Sequence, residues 1–230
     1  MMRSLEDPIW YPPLNVAYHF QVLKDRLTDE EKQGKDFRKA EEMFAVALML
    51  AGIQKLQDRK YWMQLVGDAE GSPDVRTGTF VPPTIPAAED FSTQDVEVVT
   101  YDEHSTDPLV DFLKRTKLSK TSGYDELTTI LCHIRRGTRL PPMHELRDEL
   151  AAADSKCPVM ILGKVSSTEE IYKIVQVNPA IDLISEFDLI KELQQQQTGV
   201  LRLVRGSKPI THSFPEEKHY PFEKLGFKPV

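Results

Sequence analysis

The residues best suited to chemistry are two acids that belong to consecutive predicted strands. Asp74 follows Pro73 at the start of an expected strand over residues 74–81, and Glu97 lies inside the next one, residues 96–101. Carboxylate oxygens on adjacent strands are ligands for hard divalent cations such as Mg²⁺ or Mn²⁺. The alternative is that Asp74 is only a turn residue, since Pro and Asp both favour turns, and that Glu97 faces solvent from an alternating strand.

A third acid is available on the helix that precedes these strands. Apolar residues recur there at steps of three and four, and Asp36 is expected to cap the helix N-terminus. The apolar positions are Phe37, Ala40, Phe44, Ala47, Leu48 and Ala51. On a helical wheel Glu41 lies close to this stripe, whereas Glu42 points further away. Glu41 is therefore the candidate third metal ligand.

The Pro73-Asp74 pair, followed by Glu97 on the next strand, resembles the PD-(D/E)xK nuclease-like superfamily. The resemblance covers about residues 36–177 and rests on a short motif. It implies a restriction-endonuclease-like core in which an Asp and an acid-x-Lys hold a divalent cation beside a scissile phosphate. The implied reaction is Mg²⁺-dependent or Mn²⁺-dependent hydrolysis of a phosphodiester, with a metal-bound water as nucleophile.

The sequence departs from the superfamily motif at the lysine. The position of that lysine is taken by Val99, which can neither donate a hydrogen bond nor activate water. Either a cation from the following helix replaces it, or the site has lost catalysis. Lys114 and Lys117 are the available cations, and Lys114 is assigned the catalytic role beside Asp74 and Glu97.

Charge is segregated along the chain. The net charge is −7, which excludes a uniformly basic nucleic-acid coat but not a local basic face. Residues 85–111 contain eight acids and no Lys or Arg, whereas residues 113–139 contain seven Lys or Arg and two acids. Lys114, Arg115 and Lys117 are therefore expected to contact phosphate groups. The alternative is that both runs are solvated faces that pair with one another.

Helical and strand patterns alternate along the chain, which predicts a mixed α/β fold with a central sheet flanked by helices. Residues 1–35 are expected to form an arm and a helix, residues 36–195 the core domain, and residues 196–230 a tail packed on the core. Further strands are predicted over residues 61–66, 128–134, 159–165 and from 172. A further helix is predicted to about residue 117, with Thr106 or Asp107 as its cap and Pro108 in its first turn, and another from 142 to 153.

Several classes of protein lack support in the sequence. Glycine-rich phosphate loops, the G-x-S-x-G elbow, H-E-x-x-H and C-x-x-C are all absent. Cys132 and His133 should point to opposite faces of a strand, and the acidic turn at residues 102–107 should only cap the next helix. With two cysteines, no signal peptide and no long apolar run, the chain is expected in the cytoplasm and without a membrane partner.

Two partner hypotheses remain open. The first is nucleic acid, which follows from the resemblance and from the basic run. The second is a non-catalytic scaffold whose terminal arms and acidic strip contact another protein or a second copy of the chain.

Overall fold

The structure is a computed structural model, and it describes residues 9–66, 74–81, 90–102, 104–118, 127–135, 142–153, 155–194, 199–202, 210–212 and 220–229. The helices are α1 (Pro13–Arg26), α2 (Lys35–Gln57), α3 (Leu109–Thr116), α4 (Met143–Ala152) and α5 (Leu189–Leu193). The strands are β1 (Ile9–Trp10), β2 (Tyr61–Leu65), β3 (Val75–Val81), β4 (Asp90–Tyr101), β5 (Thr128–Ile134), β6 (Val159–Lys164), β7 (Ile171–Asn178), β8 (Ile184–Asp188), β9 (Val200–Arg202) and β10 (Ile210–His212).

The main sheet has seven strands that lie side by side in chain order, from β2 to β8. The pairs β4–β5 and β5–β6 are parallel, and the other pairs are antiparallel. Parallel neighbours need a crossover connection, and α3 and α4 occupy those two connections. The predicted class, a mixed α/β fold with a central sheet flanked by helices, is confirmed.

Helices α1 and α2 cover one face of the sheet. Residues 43–53 of α2 are all buried, because one side of the helix packs on the strands and another side packs on α1. A helix enclosed in this way is apolar around most of its circumference. From β4, the side chains of Val96 and Val98 point into this layer.

The opposite face of the sheet is covered by α3 and α4. Its core includes Val99 and Tyr101 of β4, Leu113 of α3 and Leu146 of α4. Alternate residues of β4 thus enter different cores, as the period of two along a strand requires. Cys132 lies in this second core, and His133 faces α2, so the prediction that the two point to opposite faces is confirmed.

Three local predictions differ from the structure. Strand β4 begins at Asp90, six residues before its predicted start, because its first half pairs with β3. Helix α2 begins at Lys35, so Gly34 rather than Asp36 is its N-cap; Asp36 lies in the first turn, where its charge suits the helix dipole. Pro108 occupies the N-cap of α3, where no side chain makes a capping hydrogen bond.

The acidic turn before α3 makes other contacts. Asp107 pairs with Arg115 at 2.8 Å, and Asp102 accepts hydrogen bonds from the backbone of His104 and the hydroxyl of Ser105. The expected helix cap is therefore wrong, although Asp102 and Asp107 are both engaged within the turn and the helix. Predictions that concern Pro73, Glu103 and residues 195–197 lie outside the described residues.

Segments from both ends of the chain meet in a second, small sheet. Its order is β1-β9-β10, and β9 pairs antiparallel with both neighbours. Trp10 packs with Trp62 and Leu201 beside this sheet. Among the described residues, no helix has the length and apolarity that crossing a membrane requires.

Candidate functional site

The candidate site lies where β3 and β4 part. The ladder between these strands ends at the pair Val75–Val96, and the following residues of β4 continue beside β5. Asp74 stands just before β3, and the backbone N–H of Val98 donates to its Oδ2 at 2.8 Å. The side chain of Asp74 thus contacts β4 beyond the last backbone pair of the ladder. The hydrogen bond holds the Asp74 carboxylate against the backbone of β4.

Glu97 brings a second carboxylate to the same place from within β4. Its side chain is only 3 % exposed, and its Oε2 is in direct contact with Nζ of Lys117. The same Nζ lies 3.7 Å from Oδ2 of Asp74. Two carboxylates that are 23 residues apart in the chain therefore share one ammonium group.

Lys117 reaches the carboxylates because α3 ends beside β4. The residue is the C-cap of α3, and its backbone N–H donates to the carbonyl of Leu113 at 2.9 Å. Its backbone departs from helical geometry, with φ −128° and ψ −46°. Lys117, at the end of the helix that connects β4 with β5, therefore places its ammonium group beside Glu97 of β4.

The second oxygen of Glu97 is enclosed by the protein. Oε1 is buried, and no described residue donates a hydrogen bond to it. A buried oxygen of a charged group without a donor costs about 1–3 kcal/mol or more. Such an oxygen fits a site that receives one further cation or donor, and carboxylate oxygens are the ligands that Mg²⁺ and Mn²⁺ prefer.

A third acid near the pair comes from α2. Burial raises the pKa of Glu42 to about 7, and the neighbouring charge of Asp74 acts in the same direction. Lys39 and Lys117 oppose this shift, and Glu97 adds to it. Glu42, and not the predicted Glu41, is thus the α2 acid that is coupled to Asp74 and Glu97.

Replacing Glu42 with glutamine is expected to raise the free energy of unfolding above about pH 8 by roughly 1–2 kcal/mol, a figure reduced for partial solvation of the side chain. A carboxyl whose pKa is raised by folding binds more protons in the folded than in the unfolded chain. Its contribution therefore falls as the pH rises from its ordinary pKa of 4.5 to about 7. Urea unfolding of both proteins across this range checks the sign; a difference that is the same at every pH would contradict it.

The other predicted residues lie apart from this cluster. Glu41 pairs with Arg135, which directly follows β5, with Oε2 at 2.8 Å from Nη2. Lys114 is exposed on α3, with Nζ 4.0 Å from Asp111, and Arg115 pairs with Asp107. The structure brings together Asp74, Glu97 and Lys117 of the predicted set, and it places Glu41, Lys114 and Arg115 with other acids or bases.

Sequence reasoning assigned the helix acid to Glu41, so it missed Glu42. It named Lys114 and Lys117 as the available cations but gave the catalytic role to Lys114 and a phosphate-binding role to Lys117. For Lys117 the relevant signal was its position at the end of the helix, whereas the apolar stripe of α2 held no signal that separates Glu41 from Glu42. Among the described residues, no three His, Cys, Asp or Glu side chains converge closely enough to form a metal-binding group. The site therefore offers a pair of carboxylates, with Glu42 nearby.

Comparison with protein-family models, with curated proteins and with solved structures gives no significant match for this chain.

Proposed function

We propose that this protein is a Mg²⁺-dependent or Mn²⁺-dependent phosphodiester hydrolase that acts on nucleic acid. Asp74 and Glu97 hold the cation, and Lys117 takes the role of the lysine that Val99 replaces. The observation that supports the proposal is the shared ammonium of Lys117, which touches Glu97 and lies 3.7 Å from Asp74. The superfamily motif needs a lysine beside this pair of acids, and α3 supplies one from a different position in the chain.

Two carboxylate ligands, Asp74 and Glu97, suit a cation that keeps part of its water shell. Mg²⁺ is commonly bound by one or two carboxylates together with water and substrate phosphates, so two protein ligands are sufficient. Oε1 of Glu97 accepts no hydrogen bond from any described residue, so a bound cation would supply it with a partner. When bound, the cation would supply an activated water and neutralise developing charge on the phosphate.

The backbone of β4, Lys117 and Glu42 would orient the ligands and transfer protons. The backbone of β4 holds the Asp74 carboxylate through the Val98 N–H, so one ligand keeps its orientation in the absence of substrate. The Lys117 ammonium can donate to a water or to a phosphate oxygen beside the two carboxylates. Glu42, with a pKa of about 7, is half protonated near neutral pH and can accept or release a proton there.

The scaffold hypothesis gains no support from the described surface. The exposed large apolar side chains are Tyr18, Leu56, Leu127, Val165, Ile184 and Ile190. They belong to different helices, strands and turns, and single exposed apolar residues are common on monomeric proteins.

Calorimetric titration with Mn²⁺ and hydrolysis of labelled oligonucleotides test the proposal. We expect Mn²⁺ binding by the wild type that is lost in Asp74→Asn, a variant whose amide oxygen can still accept from the Val98 N–H. We expect Lys117→Met to lower the rate of hydrolysis about 10²–10³-fold, the effect of removing one group that stabilises the transition state.

The matched control is Asp95→Asn. Asp95 lies on the same strand two residues before Glu97, and its carboxylate pairs with Arg76 at 2.8 Å rather than with Lys117. This variant should bind Mn²⁺ as the wild type does. Absence of Mn²⁺ binding and of hydrolysis in the wild type would refute the proposal and leave the cluster as a structural ion pair.

A further inference from the structure

The ammonium group of Lys117 lies where a cation shared by Asp74 and Glu97 would bind. Its Nζ contacts Oε2 of Glu97 and is 3.7 Å from Oδ2 of Asp74. A Mg²⁺ ion coordinated by these two oxygens would be about 2.1 Å from each of them. An ammonium group and a metal ion that bind the same two oxygens exclude each other by size and repel each other by charge. The lysine and the cation are therefore competitors for this pair of acids.

The competition takes place in a partly buried setting. The side chain of Lys117 is 20 % exposed and that of Glu97 is 3 % exposed, so salt screens their charges much less than it screens charges on the surface. Two carboxylates beside one ammonium group leave an excess of one negative charge, which attracts a divalent cation even while the lysine is present. A divalent cation in place of the ammonium would balance both carboxylates.

Lys117 can leave the two acids while its helix stays in place. Val110 and Leu113 of α3 are buried in the core on the same face of the sheet, and they hold the helix independently of the ammonium group. An acid also remains within electrostatic range of the lysine. Burial raises the pKa of Glu42, and the charge of Lys117 opposes that shift, so the two side chains interact.

We propose that Lys117 is an internal competitor of the divalent cation: it neutralises Asp74 and Glu97 in the resting protein, and it leaves both carboxylates when the cation binds. The choice of a divalent cation as the ligand rests on the proposed function. The site then fills only at cation concentrations that displace the ammonium group. Displacement also frees this ammonium to donate to a phosphate oxygen, so the same event fills the site and releases the lysine.

Calorimetric titration with Mn²⁺ tests the competition through variants of Lys117. If the ammonium group occupies the site for about nine-tenths of the time or more, its removal in Lys117→Met should tighten Mn²⁺ binding by about tenfold or more. Lys117→Arg keeps the positive charge, so it should bind Mn²⁺ no more tightly than the wild type does. The double variant Asp74→Asn/Lys117→Met should lose the gain, which assigns the gain to this pair of acids.

Lys114→Met is the matched control. It removes the same charge from an exposed position of α3, where Nζ lies 4.0 Å from Asp111. Because exposed charges are strongly screened, this variant should bind Mn²⁺ within about twofold of the wild type.

A measurement on the wild type keeps the test valid if Lys117→Met does not fold. In protein labelled with ¹⁵N-lysine, the Lys117 ammonium signal is assigned by its absence from the spectrum of Lys117→Arg. Mg²⁺ is the probe because it is diamagnetic, unlike Mn²⁺. We expect saturating Mg²⁺ to shift this signal or to remove it by faster exchange with water, and to leave the Lys114 signal unchanged.

The inference is overturned if Lys117→Met binds Mn²⁺ no more tightly than the wild type, if Lys117→Arg gains as much affinity as Lys117→Met, or if the Lys117 signal stays unchanged while calorimetry shows bound Mg²⁺. Its failure and that of the proposed function are distinguishable. Hydrolysis together with an unchanged Lys117 signal would keep the enzyme and reject the competition. Tighter Mn²⁺ binding by Lys117→Met without hydrolysis by the wild type at any cation concentration would keep the competition and reject the enzyme.

Discussion

Replacing Lys117 with methionine is expected to lower the free energy of unfolding by about 3–5 kcal/mol, the cost of leaving a buried charge without its partner. Glu97 is almost fully buried, and among the described residues Lys117 is its only ion-pair partner. Methionine keeps most of the aliphatic stem that packs beside the strand, so the loss should report the charge rather than the volume. Urea unfolding at neutral pH measures the difference.

A double-mutant cycle isolates the interaction. Glu97→Gln/Lys117→Met removes both charges, so it should recover a large part of the stability that Lys117→Met loses. Lys114→Met is the matched control three residues earlier, where the side chain is 46 % exposed and lies 4.0 Å from exposed Asp111. This variant should change stability by less than about 0.5 kcal/mol. Equal losses at positions 114 and 117 would mean that the shared ammonium contributes little.

The order of elements was accessible from the sequence because its periodic segments are clear. The predicted strand at 128–134 has the bounds of β5, and the predicted strands at 61–66 and 159–165 differ from β2 and β6 by one residue. The proximity of Asp74 and Glu97 was also predictable, because acids at opposite positions on two adjacent strands lie close together. The alternative that Glu97 faces solvent is wrong, because α3 covers the face of β4 on which Glu97 lies.

The identity of the third acid could not be derived from periodicity. Residues 43–53 of α2 are buried on every side, so the apolar stripe that was used to orient Glu41 and Glu42 does not distinguish the sheet from α1. A rotation of about 100° per residue separates two adjacent helix positions. That rotation sends Glu41 to Arg135 and leaves Glu42 coupled to Asp74.

The choice between Lys114 and Lys117 depended on where α3 ends. The predicted helix ran to about residue 117, which places both lysines on the same face of one element. The observed helix ends at Thr116, and Lys117 leaves the helical path as its C-cap. Helix ends vary by one or two residues in sequence-based predictions, and here one residue decides which lysine reaches the carboxylates.

The C-terminal segment should contribute as much to stability as a residue of the central core does. Phe222 is fully buried, and its ring packs against Phe20 of α1 and against Tyr220, with centroids 6.2 Å and 5.7 Å apart. Phe222→Ala is therefore expected to lower the free energy of unfolding by about 3–5 kcal/mol, the cost of removing a buried aromatic ring and leaving a cavity. Thermal and urea unfolding measure the effect.

Phe227 provides the internal comparison for this prediction, because it belongs to the same segment and is only partly buried. Its replacement by alanine should cost less than half as much, since the cost of truncation depends on how completely the ring is enclosed. If Phe222→Ala and Phe227→Ala had equally small effects, the segment would be bound too weakly to stabilise α1. A large effect at Phe222 alone would mean that the ring joins the end of the chain to α1 and thereby stabilises the layer that holds α2, with Glu41 and Glu42, against the sheet.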